Sequence, residues 1–321
     1  MGKYIHMRTV KIDNSEIFYA ITRHNEVPSK YSYLGEGARY WDKLTEAWSN
    51  SGVNTNAEAQ LLQTNSKQII ETVRSFGFFK PSDIHVIDLG CGNGEPASII
   101  CSQMPSCMYT AADISSEMIE IALKEIRLRL SGSAECSSFV LDFETQSPKQ
   151  IVDELCDSQH INLFLFVGNT LGNYSNPHEI ISGIVGAMGD RDFLLVGNGL
   201  VPSGPNEDAV RAYDRVEERE LLTSATERLG IPLSEVRFVW SGENEVQAIS
   251  SISEDIVVEH YSQRVLMKSG TELLLLRSRK YSPQNLSNLL TSAGITIVSK
   301  WVNLEKTNML ALCKPMLRMA R

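Results

Sequence analysis

The chain has 321 residues, 42% hydrophobic and 21% charged, with a formal net charge of −9. That composition is globular. The acidic balance argues against a nucleic-acid partner, because the densest basic cluster (Arg277, Arg279 and Lys280) is short.

No stretch approaches the ~20 apolar residues of a membrane-spanning helix. MGKYIHMRTV at the start has no apolar signal core. The six cysteines show neither CxxC nor a His–Cys zinc spacing. Together these predict a soluble, cytoplasmic protein with reduced structural thiols and no membrane, nucleic-acid or metal partner.

In chain order, residues 14–50 read as mainly helical, with KYSYLGEGARYW (30–41) leading from a loop into a helix. Residues 57–76 set Leu61, Leu62, Ile69, Ile70, Val73 and Phe76 on one helical face. Pro81, Ser82 and Asp83 end that helix. Strand and helix patterns then alternate: strand 85–90, helix 96–104, strand 108–115, helix 116–130, strand 137–143, helix 147–156, strand 161–167, helix 177–188 and strand 192–201. This rhythm predicts a parallel sheet with helices on both faces.

Residues 206–229 read next as one charged amphipathic helix. Short alternating strands over 234–270 suggest an antiparallel insert. Residues 273–281 return to sheet, 282–294 form a serine-capped helix closed by glycine, and 295–303 with 308–315 make a final strand pair. The domain reading is an N-terminal helical cap (1–56), a core (57–201), a substrate-binding insert (202–270) and C-terminal strands completing the core (271–321).

Chemistry concentrates at strand ends. The first turn, VIDLGCGNGEP (86–96), has glycines at 90, 92 and 94, which let backbone approach a ligand at a helix N-terminus. Counted from Gly90, the dinucleotide pattern G-x-G-x-x-G fails at Glu95. A carboxylate there repels a pyrophosphate but tolerates a ligand bearing a sulfonium and an amine. Asp113 ends the second strand, where doubly wound folds place an acidic residue on ribose hydroxyls. Asp142 and Phe143 end the third, placed to grip adenine through a carboxylate and the backbone. The fourth strand ends in FLFVGNTLGNYSN (164–176), where glycines and asparagines follow an apolar run.

These strand ends resemble the class I S-adenosylmethionine (SAM) methyltransferases. Four further segments narrow the resemblance: NSEIFYAIT near the N-terminus, GNTLGN after strand four, AYD at 212–214 and S-x-KY at 278–281. In that order they resemble the histidine-specific methyltransferase family of the ergothioneine pathway. The resemblance implies an α/β fold: a Rossmann-like SAM-binding sheet, with an α+β accessory domain formed by the N-terminal helices and an insert between strands five and six. It implies metal-independent use of SAM, with Gly90, Gly92, Asp113, Asp142 and Phe143 at the cofactor. It also implies that Asn173 holds a substrate carboxylate and Tyr213 partners it at the α-amine. Gly168 would lie against the reacting groups, and Ser278 would help read the substrate side chain.

The chain departs from the family at several positions. The glutamate that holds imidazole, two residues before the serine, is Leu276 here. The glycine-loop lysine is Pro96. The N-terminal tyrosine facing the cofactor falls at Val10. A double tyrosine before proline is absent from HNEVPSKYSYLGEG (24–37), where Tyr31 or Tyr33 would either cover the site instead or pack as a core aromatic. A buried leucine cannot accept an imidazole N–H.

The expectation is therefore a SAM-dependent N-methyltransferase acting on a free amino acid or close derivative other than histidine, at the α-amine or a side-chain nitrogen. Histidine Nα-methylation, O-methylation of a small molecule in secondary metabolism, and SAM-binding regulation without turnover stand as alternatives. The oligomeric state is open.

Overall fold

The computed structural model describes residues 8–50, 57–77, 83–145, 150, 155–156 and 159–316. The chain divides into two compact units, one of residues 1–50 with 204–278 and one of 51–203 with 279–321.

The larger unit is built on a seven-stranded sheet. Its strands are β2 (Ile84–Leu89), β3 (Cys107–Asp113), β4 (Ala134–Val140), β5 (Ile161–Phe166), β6 (Phe193–Gly199), β12 (Ile295–Val302) and β13 (Asn308–Pro315). They lie in the order β12-β13-β6-β5-β2-β3-β4. The pairs among β2 to β6 are parallel, whereas β13 runs antiparallel to both β6 and β12. The order reverses beside β2, so the carboxyl ends of β2 and β5 bound the crevice where doubly wound sheets take ligands.

Strand β5 shows why this sheet is buried on both sides. Leu163, Leu165 and Val167 enter one apolar cluster, and Phe164 and Phe166 enter the other. Helices α3 (Ala57–Ser75), α4 (Glu95–Cys101) and α5 (Ser116–Arg129) supply residues such as Leu62, Ile100 and Ile119 to the first. Helices α6 (Pro177–Ala187) and α9 (Pro283–Ser292) supply Ile181, Leu286 and Leu290 to the second. The residues that are uniformly apolar in sequence are thus uniformly buried, as a two-faced parallel sheet demands.

The smaller unit has two three-stranded sheets. One has the order β1-β9-β10, from β1 (Arg8–Lys11), β9 (Ile256–His260) and β10 (Gln263–Met267); the other has the order β11-β8-β7, from β7 (Arg237–Ser241), β8 (Glu245–Ser251) and β11 (Glu272–Arg279). Helix α1 (Ser15–His24) is capped by Asn14, whose side chain accepts from the Ile17 N–H at 3.2 Å. The same unit carries α2 (Glu36–Asn50), α7 (Asn206–Tyr213) and α8 (Val216–Leu229).

Four expectations change. Strand β1 is not visible as periodicity. It forms because Val10 pairs in parallel with Val258, which puts Val10 in the core of the smaller unit. The helix expected over 206–229 breaks at Asp214 and Arg215, where Arg215 is extended (φ −128°, ψ 154°) and Val216 is exposed. Residues 272–278, assigned above to the core strands, pair instead with β8 in the smaller unit. The run Leu273–Leu276 is apolar enough for either sheet, so composition alone does not choose its neighbour. The third-strand pattern stops at Val140, which leaves Asp142 in the following turn. The helix expected over 147–156 lies mostly outside the described residues.

Candidate active site

The glycine turn after β2 is shaped by left-handed backbone: φ is +70° at Gly90, +52° at Gly92 and +76° at Gly94. Side-chain-bearing residues rarely adopt these values. The Gly90 N–H donates to the Ala112 carbonyl at 2.8 Å, tying the turn to β3. A Cβ on Gly90 would come within 3.3 Å of Thr170 Cγ2 in the loop after β5, so the two loops nearly close on each other at the switch point. Gly94 serves packing instead: a Cβ there would sit 2.9 Å from Ala122 Cα on α5.

Asp113 is nearly buried at the end of β3 and accepts from the Ser115 N–H at 3.0 Å. Burial pushes its carboxyl up to about 6, against the lowering effect of the Ser115, Gly92 and Ile114 N–H groups. A carboxylate held by backbone donors keeps acceptor capacity for further hydroxyls. The Asp142 side chain accepts from the Glu144 N–H at 3.0 Å, forming a local turn. Phe143 meets Phe166 edge to face, centroids 6.1 Å apart. The glycine cradle, Asp113 and the Asp142–Phe143 turn all belong to the larger unit, and their donor and acceptor chemistry fits an adenosine.

The loop after β5 is more tightly built than its turn residues suggest. Asn169, at φ +62°, opens a 3₁₀ turn, Thr170–Asn173. Its side-chain oxygen accepts from the Gly199 N–H at 3.0 Å and from Lys280 Nζ at 3.2 Å. Gly172 lies where a Cβ would press on the Arg279 carbonyl at 2.6 Å. Asn169 thus fastens the loop to the end of β6 and to the chain after β11. Asn173, the last residue of the turn, is half-buried, and its amide has no hydrogen-bond partner among the described residues.

Beneath this loop sits Glu58 at the start of α3. Its Oε1 accepts the Gly168 N–H at 2.5 Å. Its Oε2 is screened from solvent without a hydrogen-bond partner among the described residues. Burial raises its carboxyl to about 7, with Gly168 and Lys280 acting in the opposite direction. Sequence reading passed over Glu58, because one glutamate in an amphipathic helix reads as solvated surface.

In the smaller unit, the Tyr213 hydroxyl, at the end of α7, lies 2.6 Å from Ser278 Oγ on β11. Sequence reading singled out both residues, 65 positions apart, and the fold brings them together. Leu276 is 4% exposed and packs in the core of this unit. Arg277 pairs with Glu26 at 2.9 Å and so helps dock the 25–27 segment onto β11, alongside the Val27 N–H to Leu274 carbonyl bond.

Tyr31 and Tyr33 are both occupied structurally. The Tyr31 hydroxyl donates to Glu16 at 2.7 Å and accepts from Asn14, and burial together with Glu16 pushes it well above its ordinary range. Tyr33 stacks edge to face on Trp41.

Among the described residues, no three His, Cys, Asp or Glu side chains cluster as a metal site, and no helix is long and apolar enough to cross a membrane.

Two curated relatives match. The chain is 20% identical over 320 residues to ergothioneine biosynthesis protein 1 of Neurospora crassa, covering 91% of this chain and 33% of that one. It is 31% identical over 83 residues to a malonyl-[acyl-carrier protein] O-methyltransferase of Priestia megaterium, covering 26% and 30%. The chain thus spans about a third of the length of the curated relatives it matches.

Among solved structures, a SAM-dependent methyltransferase from Clostridium acetobutylicum aligns at 11% identity and a TM-score of 0.44, covering 79% of this chain and 92% of that one. Magnesium protoporphyrin IX methyltransferase from Synechocystis, with bound SAH, aligns at 11% and 0.46, covering 89% and 97%. Superpositions this loose do not bear on the assignment. The model of the histidine-specific, SAM-dependent methyltransferase family matches residues 14–315. With nearly the whole chain inside that match, the protein belongs to this family of SAM-dependent methyltransferases.

Proposed function

We propose that the protein is an N-methyltransferase for a free amino acid or close derivative other than histidine. The observation that carries this reading is Asn173. A half-buried primary amide, held in a pinned turn at the carboxyl edge of β5 with no protein partner among the described residues, offers a donor to a carboxylate. In this reading Gly168 leaves room beside the reacting groups. Gly90, Gly92, Asp113, Asp142 and Phe143 hold SAM, with Asp113 on the ribose and Asp142–Phe143 on adenine.

Bound SAM supplies an already activated methyl group. The protein's own work is to hold the acceptor amine in line, keep water out and let the amine lose its proton. Tyr213 is placed by Ser278 to orient that amine.

Leu276 supports the exclusion of histidine. It stands two residues before Ser278, where an imidazole-binding family member carries a glutamate, and an apolar side chain leaves an imidazole N–H without an acceptor. The test is incubation with SAM and a panel of amino acids and derivatives, read by mass. Methylation of an amino acid other than histidine is expected. A second reading, histidine as the acceptor, is favoured by the family match over residues 14–315, and best turnover with histidine would establish it.

A further inference from the structure

We infer that Glu58 is the proton acceptor for the substrate amine. The inference rests on the amine-methylation reading above and adds the group that reading lacks.

The geometry is specific. Glu58 reaches from the start of α3 to the carboxyl edge of the sheet, where Oε1 takes the N–H of Gly168 at 2.5 Å. Gly168 itself is exposed, bears no side chain and opens the loop that carries Asn173, so Oε1 lies against the backbone of that loop. A Cβ on Gly168 would meet only Thr170 Oγ1, at 3.7 Å, so the space beside it is open.

The other oxygen faces inward. A methyl on Gly197 of β6 would overlap Oε2, so the absence of a side chain at position 197 is what admits the carboxylate. Oε2 has no donor there among the described residues. An ionised carboxylate with one oxygen unsatisfied and screened from water is destabilised relative to its acid form. That is the arrangement of a base strong enough to take a proton near neutrality, and its carboxyl is accordingly raised to about 7.

The charged surroundings are sparse. Lys280 is the one charged group acting on Glu58 among the described residues, and it lowers the value. Its Nζ is engaged with the Asn169 side-chain oxygen at 3.2 Å. The β5 loop contributes the Gly168 N–H. β6 contributes Gly197 and β13 the apolar Leu310, whose Cδ2 lies 3.0 Å from where a Gly197 Cβ would be.

The proton step balances simply. The substrate ammonium gives one proton to the Glu58 carboxylate. The freed nitrogen lone pair forms the new N–CH₃ bond as the S–CH₃ bond of SAM breaks and its electron pair stays on sulfur. Glu58 then releases its proton to water.

The experiment is the pH profile of kcat/KM for wild type, Glu58→Gln and Glu58→Asp with the best amino-acid acceptor, alongside calorimetric SAM binding. Wild type should lose activity below an apparent pKa near 7. Glu58→Gln should bind SAM normally and lose about 100-fold in kcat at pH 7. Its rate should climb with alkaline pH as solution supplies free amine. Glu58→Asp, which keeps the carboxylate, should be slower than wild type yet retain an acid limb; this variant decides the matter if the glutamine variant does not fold. A glutamine variant with wild-type turnover, or one that keeps the acid limb near pH 7, overturns the inference while leaving amine methylation intact. Absence of any methyl transfer by wild type overturns both.

Discussion

At the scale of single residues, the site is a set of ordinary side chains made unusual by what surrounds them. Asp113 is held by backbone donors at a strand end, and its proposed role as acceptor for the SAM ribose predicts the effect of Asp113→Asn. Each charge-assisted hydrogen bond contributes about 1.5–3 kcal/mol, so SAM affinity measured by titration calorimetry should fall ~10–100-fold, with the melting temperature of the free protein little changed. Tyr213→Phe should leave SAM affinity unchanged and remove most turnover; a variant with undiminished kcat would leave Tyr213 only a packing role at the end of its helix. The sequence made Asp113, Tyr213 and Ser278 conspicuous because each sits in a short recognisable motif. Asn169 and Glu58 were not conspicuous. Asn169 reads as a turn former, and its bonds to Gly199 and Lys280 depend on the adjacency of β5 and β6. Glu58 depends on a contact 110 residues away.

At the scale of elements, most of the larger unit was legible, because βα alternation carries its own topology rules. The ambiguities arose where pattern and partner are separable. Leu273–Leu276 is a good strand in either sheet, and only pairing with β8 assigns it to the smaller unit. The apolar series of 206–229 looks continuous, yet Val216 points to solvent once the helix axis breaks after Tyr213. That break leaves Tyr213 at a helix end, next to Ser278. The packing of α4 on α5 yields a test of its own. Gly94→Ala would combine positive φ with a 2.9 Å approach to Ala122 Cα, and should destabilise the protein by about 1–3 kcal/mol, read as a lower denaturation midpoint. An unchanged midpoint would mean that α4 and α5 are not packed as closely as this.

At the scale of the whole molecule, buried carboxyls give stability a definite pH dependence. Asp88 accepts the Tyr109 hydroxyl at 3.1 Å, and burial, reinforced by Asp113, raises its carboxyl from 3.8 to about 8. Because the folded value lies above the unfolded one, the folded state holds the extra proton between the two. The stability from this group is full below about pH 4 and is lost as pH rises through about 8. Glu58 acts with the same sign, from 4.5 to about 7. Asp88→Asn should therefore flatten the fall in denaturation midpoint between pH 5 and pH 8 relative to wild type. Parallel slopes would mean that Asp88 is ionised in the folded protein.

The central claim, methyl transfer to an amino-acid nitrogen, is tested most directly by mass spectrometry of reactions containing the protein, SAM and each amino acid in turn. The account predicts N-methylation of an amino acid other than histidine, at its α-amine or a side-chain nitrogen. SAM binding without methylation of any amino acid or derivative, or histidine as the best acceptor, would contradict it.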